Sequence, residues 1–361
     1  SLGPIEKLPA GKARTLAIEV LAKARLGQDP AGDKRKARDE ASNTFGGAHL
    51  KRYLEFKRTT KGKGRVKPRT MVEIERHLMK DAASLHSCSV RQIDRQQAAE
   101  LLAKVAKNGD RAADSVRGSA RAYFNWLIRE GLADVNPFVN TVTRHDGKGR
   151  ERVPTMAELV EIWNVCDDDS DYSAIIRLLI LGGARRNEIG ELEWCEVDFD
   201  TGVLDLPASR MKHNFPHLFA LPEAAVEIIR GRKQDDRKYV FGRGDTGFSG
   251  WSRALKNLRA RILERRRETD PDAEDMPHFT PHDFRRSVST TMGEELDIPP
   301  HIVSEVLAHL TFKQGSEGTY NKAKYLQQKR AAVERWAAYL LAAVEAPSGQ
   351  SCHWPNRVVE K

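Results

Sequence analysis

Cysteine is scarce in this chain: four among 361 residues, Cys88, Cys166, Cys195 and Cys352, with no CxxC pair. Such scattering excludes a disulfide framework and the usual zinc-ligand spacings. It fits a reducing, cytoplasmic setting. Cys352-His353 is an isolated pair of potential ligands near the end of the sequence and is best read as chance. No apolar run reaches the roughly 18 residues that a membrane span needs, so no membrane partner is expected. The first residues lack a basic-then-apolar signal pattern. There is no internal repeat, and no acidic cluster with the spacing of a two-metal site, which argues against a metal nuclease. No metal and no cofactor are expected.

Positive charge is what the sequence has in surplus. Sixty Lys and Arg stand against 51 Asp and Glu, a net charge of +9. A basic balance favours a polyanionic partner, because neutralising phosphates releases condensed counterions. Charge alone does not separate such a protein from an ordinary basic one.

The pattern of apolar residues divides the chain. Residues 1–43 hold one helix, Ala10 to Leu26, closed by Gln28-Asp29-Pro30 and a charged exit at Lys34–Arg38. One helix cannot bury its own face, so this segment reads as the end of a larger module or as a partner-binding arm. Residues 44–140 read as all-helical, with helices at Phe45–Phe56, Thr70–Leu85, Gln97–Val105 and Ser115–Leu132. A polar, basic stretch, 141–153, reads as a linker. Pro154-Thr155-Met156-Ala157-Glu158 then carries a capping-box pattern, opening a second domain over 154–345. There, helices near 156–166 and 171–182 precede strands around Val197–Phe199 and Val203–Leu206, joined through Asp200-Thr201-Gly202, a hairpin signal. A third strand near 218–221 follows, then helices at 223–233, 249–266, 282–296, 299–308 and 325–344. Residues 346–361 have no periodicity and read as a loose tail. The expected fold class is mainly α with a small antiparallel β-sheet.

Five short segments in the second domain carry candidate chemistry: Leu181–Ile189 with Arg185 and Glu188, Arg210-Met211-Lys212-His213, Pro281–Arg285 with His282, Val306–His309, and Thr319–Lys322 with Tyr320. Each has an ordinary explanation alone. Arg185 and Glu188 fit a surface pair, Lys212 a turn, His282 a neighbour of a helix cap, His309 a core histidine, and Tyr320 half-buried packing. Together they make a phosphate site. Guanidinium forks match non-bridging phosphate oxygens, and two of them would stabilise the charge of a pentacoordinate transition state. A lysine on a turn can protonate a leaving oxygen. Histidines move protons near neutral pH, and a tyrosine is a suitable covalent nucleophile.

The ordered set resembles the catalytic domain of the tyrosine recombinases. Gly182-Gly183-Ala184-Arg185-Arg186-Asn187-Glu188-Ile189 is similar to the family's first arginine motif, with Gly182-Gly183 where Thr-Gly is more usual. Pro281-His282-Asp283-Phe284-Arg285-Arg286 is similar to its second. Arg210-Met211-Lys212 with Pro216-His217 resembles the lysine hairpin of phage and genomic-island integrases. Tyr320 to Leu326, then Lys329-Arg330 and Trp336-Ala337, resembles the end of that branch.

This resemblance covers about residues 44–344 and implies a function: cleavage and rejoining of DNA through a 3′-phosphotyrosine, integrating or excising a mobile element. It implies Tyr320 as nucleophile, Arg185 and Arg285 as the phosphate clamp, Lys212 as general acid, His282 and His309 as proton-transfer and phosphate-binding groups, and Glu188 in support. The interval from His309 to Tyr320 is slightly longer than the family's usual one, which keeps Tyr325 as a second candidate nucleophile.

The resemblance also implies a helical core-DNA-binding domain at 44–140 and the end of an arm-binding module at 2–30. Expected partners are double-stranded DNA attachment sites, a homotetramer formed on DNA, an accessory DNA-bending protein and a directionality factor; the expected location is the nucleoid. Helix 325–344 would dock either on its own domain or on a neighbouring subunit. Two other readings share the chemistry or the fold, a type IB topoisomerase and a catalytically silent DNA-binding protein.

Overall fold

A computed structural model of the chain describes residues 9–30, 32, 43–62, 65–145, 151–212, 214–232, 236–243, 245–309 and 325–346. The charged exit at Lys34–Arg38, the middle of the linker, Tyr320 and the tail past residue 346 lie outside the described residues. Tertiary contacts separate the chain into two units, residues 1–149 and 150–361.

In the first unit, α1 (Ala10–Arg25) buries none of its residues, and its apolar side chains Ile18 and Leu21 face solvent. The remaining helices share one core. Helix α2 (Ala48–Thr59) contributes Leu50, Tyr53 and Leu54. Helix α3 (Pro68–Arg76) starts with proline, whose missing N–H costs nothing in a first turn. The periodicity of the sequence predicts one helix to Leu85. Instead α3 widens into a π-turn over His77–Asp81, where the Ala82 amide donates to the His77 carbonyl five residues back. The wide turn seats the His77 ring in the core with Nδ1 2.9 Å from the Ser119 hydroxyl.

Helix α4 (Arg95–Ala106) opens on a capping box between Asp94 and Gln97, two residues ahead of its apolar pattern. Helix α5 (Asp110–Arg129) likewise starts five residues before the expected Ser115, because Gly109, at φ 120°, delivers a polar first turn that apolar spacing does not register. Tyr53, Tyr123, Phe124, Trp126 and Phe138 form an aromatic centre, and the Tyr123 hydroxyl donates to the Phe45 carbonyl at 3.1 Å.

The second unit opens as the sequence pattern predicts. Glu158 Oε2 accepts from the Thr155 amide at 2.7 Å while Thr155 Oγ1 accepts from the Glu158 amide, closing the cap of α6 (Met156–Val165). Helix α7 (Asp171–Gly182) is buried on nearly every side, as its unbroken apolar run requires. It stops at Gly183, which is left-handed at φ 60°. The short α8 (Arg186–Gly190) follows.

Strands β1 (Val197–Asp198), β2 (Val203–Leu206) and β3 (His217–Ala220) form an antiparallel sheet in sequence order, with Val197 opposite Leu204 and Leu204 opposite Phe219. The first turn is tied by Asp198 Oδ1, which accepts from the amides of Asp200 and Thr201. Among the described residues, helices α9 (Glu223–Arg230), α10 (Trp251–Thr269), α11 (Pro281–Glu294), α12 (Pro300–Val306) and α13 (Leu326–Glu345) follow. The chain is mainly α with a small antiparallel sheet.

Of the two dockings open to the last helix, the structure has the one on its own unit. Trp336 is fully buried and donates from Nε1 to the Ile180 carbonyl at 3.0 Å, satisfying one of the carbonyls that the end of α7 leaves without a helical partner. Lys329 is buried and donates to the Leu218 carbonyl on β3 at 2.5 Å, and Arg330 donates to the Thr201 carbonyl. Replacing Trp336 with Ala is expected to destabilise the second unit by about 3–5 kcal/mol, the usual cost of emptying a large aromatic site. Urea unfolding followed by circular dichroism measures this; a loss below about 1 kcal/mol would mean that α13 is no part of the core.

Candidate active site

The site is built where α7 ends. A Cβ on Gly183 would lie 2.7 Å from Leu307 Cδ2 and 3.2 Å from Val288 Cγ1, at a φ that side chains resist. Glycine therefore lets α11 and α12 close onto the turn. The Gly183 carbonyl in turn accepts from Arg285 Nη1 at 2.8 Å. Arg285 is 3% exposed, and its Nη2 donates to the Leu307 carbonyl.

Arg185 occupies the N-cap of α8. Glu188, at the third helical position, reaches back to it twice: Oε2 accepts from the Arg185 amide and Oε1 from Nη1, both at 2.7 Å. Arg185 Nη2 donates to the Ala308 carbonyl at 3.3 Å. The two guanidiniums thus hold consecutive carbonyls, Leu307 and Ala308, at the end of α12. Ala308 is left-handed at φ 50°, and the His309 amide returns to the Ser304 carbonyl at 2.8 Å. His309 itself stands exposed one residue past the second clamp.

The electrostatics follow from this packing. Burial, and then the nearby charge of Arg185, lowers the Arg285 pKa to about 10, while Glu188 acts in the opposite sense. Arg285 remains a cation at pH 7. Among Arg185, Arg285 and Glu188, two positive charges meet one negative, so a positive charge is left for an anion. His282 lies in the first turn of α11, whose cap is closed by Asp283 accepting from the Thr280 amide at 2.8 Å and from its hydroxyl at 2.9 Å. The His282 ring reaches solvent. The protein around it, then the charges of Arg285, Arg286 and Arg185, nevertheless hold its pKa below 6.5 against the pull of Asp283.

The structure therefore brings together Arg185, Glu188, His282, Arg285 and the backbone leading into His309. Lys212 is exposed on the turn between β2 and β3, with no hydrogen bond or ion pair among the described residues. Tyr320 lies outside the described residues. Tyr325 caps α13 at φ 46°, its ring edge-on to His301 with centroids 5.8 Å apart.

Reading residues by type missed two contributors: the Gly183 carbonyl, since a backbone acceptor has no side-chain signature, and Arg210. Arg210 was visible beside Lys212, but its partners Glu196, Asn187 and Glu188 lie up to 23 positions away in the chain.

The depressed His282 pKa fixes a sign. The ring is neutral at pH 7, and below about 6.5 the unfolded chain takes up a proton that the folded one resists, so stability falls on acidification through that range. By proton NMR the His282 ring in DNA-free protein should titrate below about 6.5, and Arg286→Gln should raise the midpoint. A wild-type midpoint at or above that value contradicts the site electrostatics.

Known proteins resemble this chain in sequence and in fold. Residues 153–324 match the model of the Phage integrase family. Prophage integrase IntA of Escherichia coli (strain K12) is 25% identical over 220 residues, covering 59% of this chain and 50% of the relative. The integrase of Shigella phage Sf6 is 24% identical over 255 residues, covering 67% of this chain and 63% of the relative. Tyrosine recombinase XerC of Oceanobacillus iheyensis is 25% identical over 205 residues, 52% of this chain and 63% of that protein. The chain thus spans about half of the first relative's length.

Among solved structures, a lambda integrase tetramer bound to a Holliday junction superposes with a TM-score of 0.59 at 16% identity, covering 87% of this chain and 90% of that one. The Tn1549 transposon integrase in complex with circular intermediate DNA superposes at 0.56 and 18% identity, covering 81% of this chain and all of that one. The likeness to both is one of fold. Residues 153–324 thus carry a Phage integrase family domain, and both arginine motifs lie inside it.

Proposed function

We propose that this chain is a site-specific DNA recombinase that cuts and rejoins DNA through a 3′-phosphotyrosine, integrating or excising a mobile element. The observation that carries the reading is the pair of guanidiniums fixed on the consecutive carbonyls of Leu307 and Ala308. Each has part of its fork committed to protein, and the pair keeps a net positive charge. Such a preorganised arrangement stabilises a phosphorane without reorganising at the moment of reaction.

In the proposed reaction the Tyr320 oxygen attacks the scissile phosphorus. The O–P bond to tyrosine forms as the bond from phosphorus to the 5′ oxygen breaks. Arg185 and Arg285 hold the two non-bridging oxygens, with Glu188 orienting Arg185. Lys212 gives its proton to the departing 5′ oxygen. His282, neutral at pH 7, can accept the phenolic proton or donate a hydrogen bond to the phosphate, and His309 assists at the same phosphate. Rejoining is the reverse, with a 5′-hydroxyl from the partner strand attacking the phosphotyrosine. Tyr320 is preferred to Tyr325 because the family match, 153–324, includes the first and stops before the second.

Residues 44–140 are assigned as the core-DNA-binding domain, 141–153 as linker, 154–345 as catalytic domain, 346–361 as tail and 1–43 as the end of an arm-binding module. Partners are double-stranded attachment-site DNA and three further copies of the chain, with a DNA-bending protein and a directionality factor as accessories. The place of action is the nucleoid.

A suicide duplex, nicked beside the cleavage site and carrying the sequence that flanks the encoding element, tests this. Wild type should form a covalent protein–DNA adduct, Tyr325→Phe should retain it, and Tyr320→Phe should abolish it. Arg285→Lys should slow adduct formation by about 100- to 1000-fold, the usual cost of losing one transition-state donor. An adduct that survives Tyr320→Phe but not Tyr325→Phe moves the nucleophile. Relaxation of supercoiled DNA without site preference would replace the proposal with a topoisomerase, and DNA binding with no adduct would replace it with a silent binding module.

A further inference from the structure

Arg210 stands two residues before Lys212 on the loop joining β2 to β3. Its side chain is 13% exposed, and it does not point toward solvent with its neighbour. Nη1 pairs with the carboxylate of Glu196, a residue only 6% exposed. Nη2 donates to the carbonyls of Asn187 at 3.2 Å and Glu188 at 3.0 Å. These carbonyls belong to α8, whose five residues leave its C-terminal acceptors short of helical partners.

Glu188 is consequently held at both ends. Its carboxylate grips Arg185, and its carbonyl is gripped by Arg210. The loop is pinned beside this anchor as well: the Arg210 amide donates to the Pro207 carbonyl at 3.0 Å, the Met211 amide to Ala208 at 3.2 Å, and the Met211 side chain is buried in the core. Lys212 is the next residue and is exposed.

We propose that Arg210 is a positioning residue that registers the Lys212 turn against the Arg185 clamp, using Glu188 as the shared strut. This rests on the reading of Lys212 as general acid. A planar fork is needed, because one guanidinium serves a carboxylate on one side and two carbonyls on the other. An ammonium at this position could neutralise Glu196 but could not hold α8 in the same geometry. Without the fork, Lys212 would still be present and still exposed, yet no longer fixed relative to the phosphate.

The test separates positioning from stability through the leaving group. Two suicide duplexes are compared, identical except that the 5′ leaving oxygen is replaced by sulfur in one. A thiol ionises near 8.5, so a thiolate departs without a proton and the general acid becomes dispensable. Wild type, Lys212→Ala, Arg210→Lys and Arg285→Lys are assayed on both, with folding checked by thermal melting.

Arg210→Lys is expected to melt close to wild type, to cleave the oxygen substrate about 100-fold more slowly, and to recover to within a few-fold of wild type on sulfur, as Lys212→Ala should. Arg285→Lys should remain slow on both. Recovery of Lys212→Ala without recovery of Arg210→Lys overturns the positioning role and leaves Lys212 intact. Failure of Lys212→Ala to recover overturns the general-acid reading itself. Undiminished cleavage of the oxygen substrate by Arg210→Lys also overturns the proposal. If Arg210→Lys melts early, the neutral pair Glu196→Gln with Arg210→Gln carries the same expectations.

Discussion

Two arginines gripping two successive carbonyls is the constraint on which this catalytic unit depends. Burying like charges side by side is unfavourable, and Arg285, at 3% exposure, bears most of that cost. What offsets it is a set of charge-assisted hydrogen bonds, each worth about 1.5–3 kcal/mol, drawn from four places in the chain. The turn after α7 supplies the Gly183 carbonyl, α8 the Glu188 carboxylate, and the end of α12 the carbonyls of Leu307 and Ala308. The fourth is α11, which delivers Arg285 itself. None of these elements can shift without exposing an unpaired buried charge to the others. The rigidity required for transition-state stabilisation and the packing of the unit are therefore the same set of contacts.

This explains which parts of the site were legible in the sequence. Arg185, Glu188, His282 and Arg285 were readable because their chemistry resides in side-chain type and short spacing. Glu188 three residues after Arg185 predicts a contact, and that contact exists. The capping box at Thr155 and the hairpin turn at Asp200-Thr201-Gly202 were readable for the same reason, since both are local hydrogen-bond patterns. Gly183 was noticed only as part of a motif. Its role as a carbonyl acceptor for Arg285, and the clash that any side chain would make with Leu307, belong to elements more than a hundred residues away.

The first unit shows the same division. Helix starts set by polar first turns, at Arg95 and Asp110, fell ahead of the apolar pattern, because apolar spacing marks what is buried and not where hydrogen bonding begins. The π-turn at His77–Asp81 was invisible because the contact it makes, His77 on Ser119, lies 42 positions away in the chain. The docking of α13 was undecided from sequence for a related reason. A stripe of Ala332, Val333, Trp336 and Leu340 fits its own core or a neighbour's equally well by pattern. Trp336 and Lys329 decide it through single carbonyls, Ile180 and Leu218, which hydropathy does not weigh.

The distribution of cation types also follows from burial. Burial in the site lowers the guanidinium pKa of Arg285 to about 10. A lysine ammonium, whose ordinary pKa is already lower than that of a guanidinium, would be pushed further toward its neutral form by the same burial. A neutral amine would also offer no fork to span Gly183 and Leu307. Only arginine can be buried there and remain both charged and bidentate. A general acid has the opposite requirement, since it must surrender a proton, which a guanidinium does not do near neutral pH. In the proposed mechanism that work falls to Lys212, the one cation of the set placed on an exposed turn and outside the buried cluster. The permanent charges are locked into the core and the transferable proton is carried on the loop. Catalysis then needs a device that holds the loop in register with the core, and the buried fork of Arg210, anchored to the same Glu188 that orients Arg185, has the geometry for it.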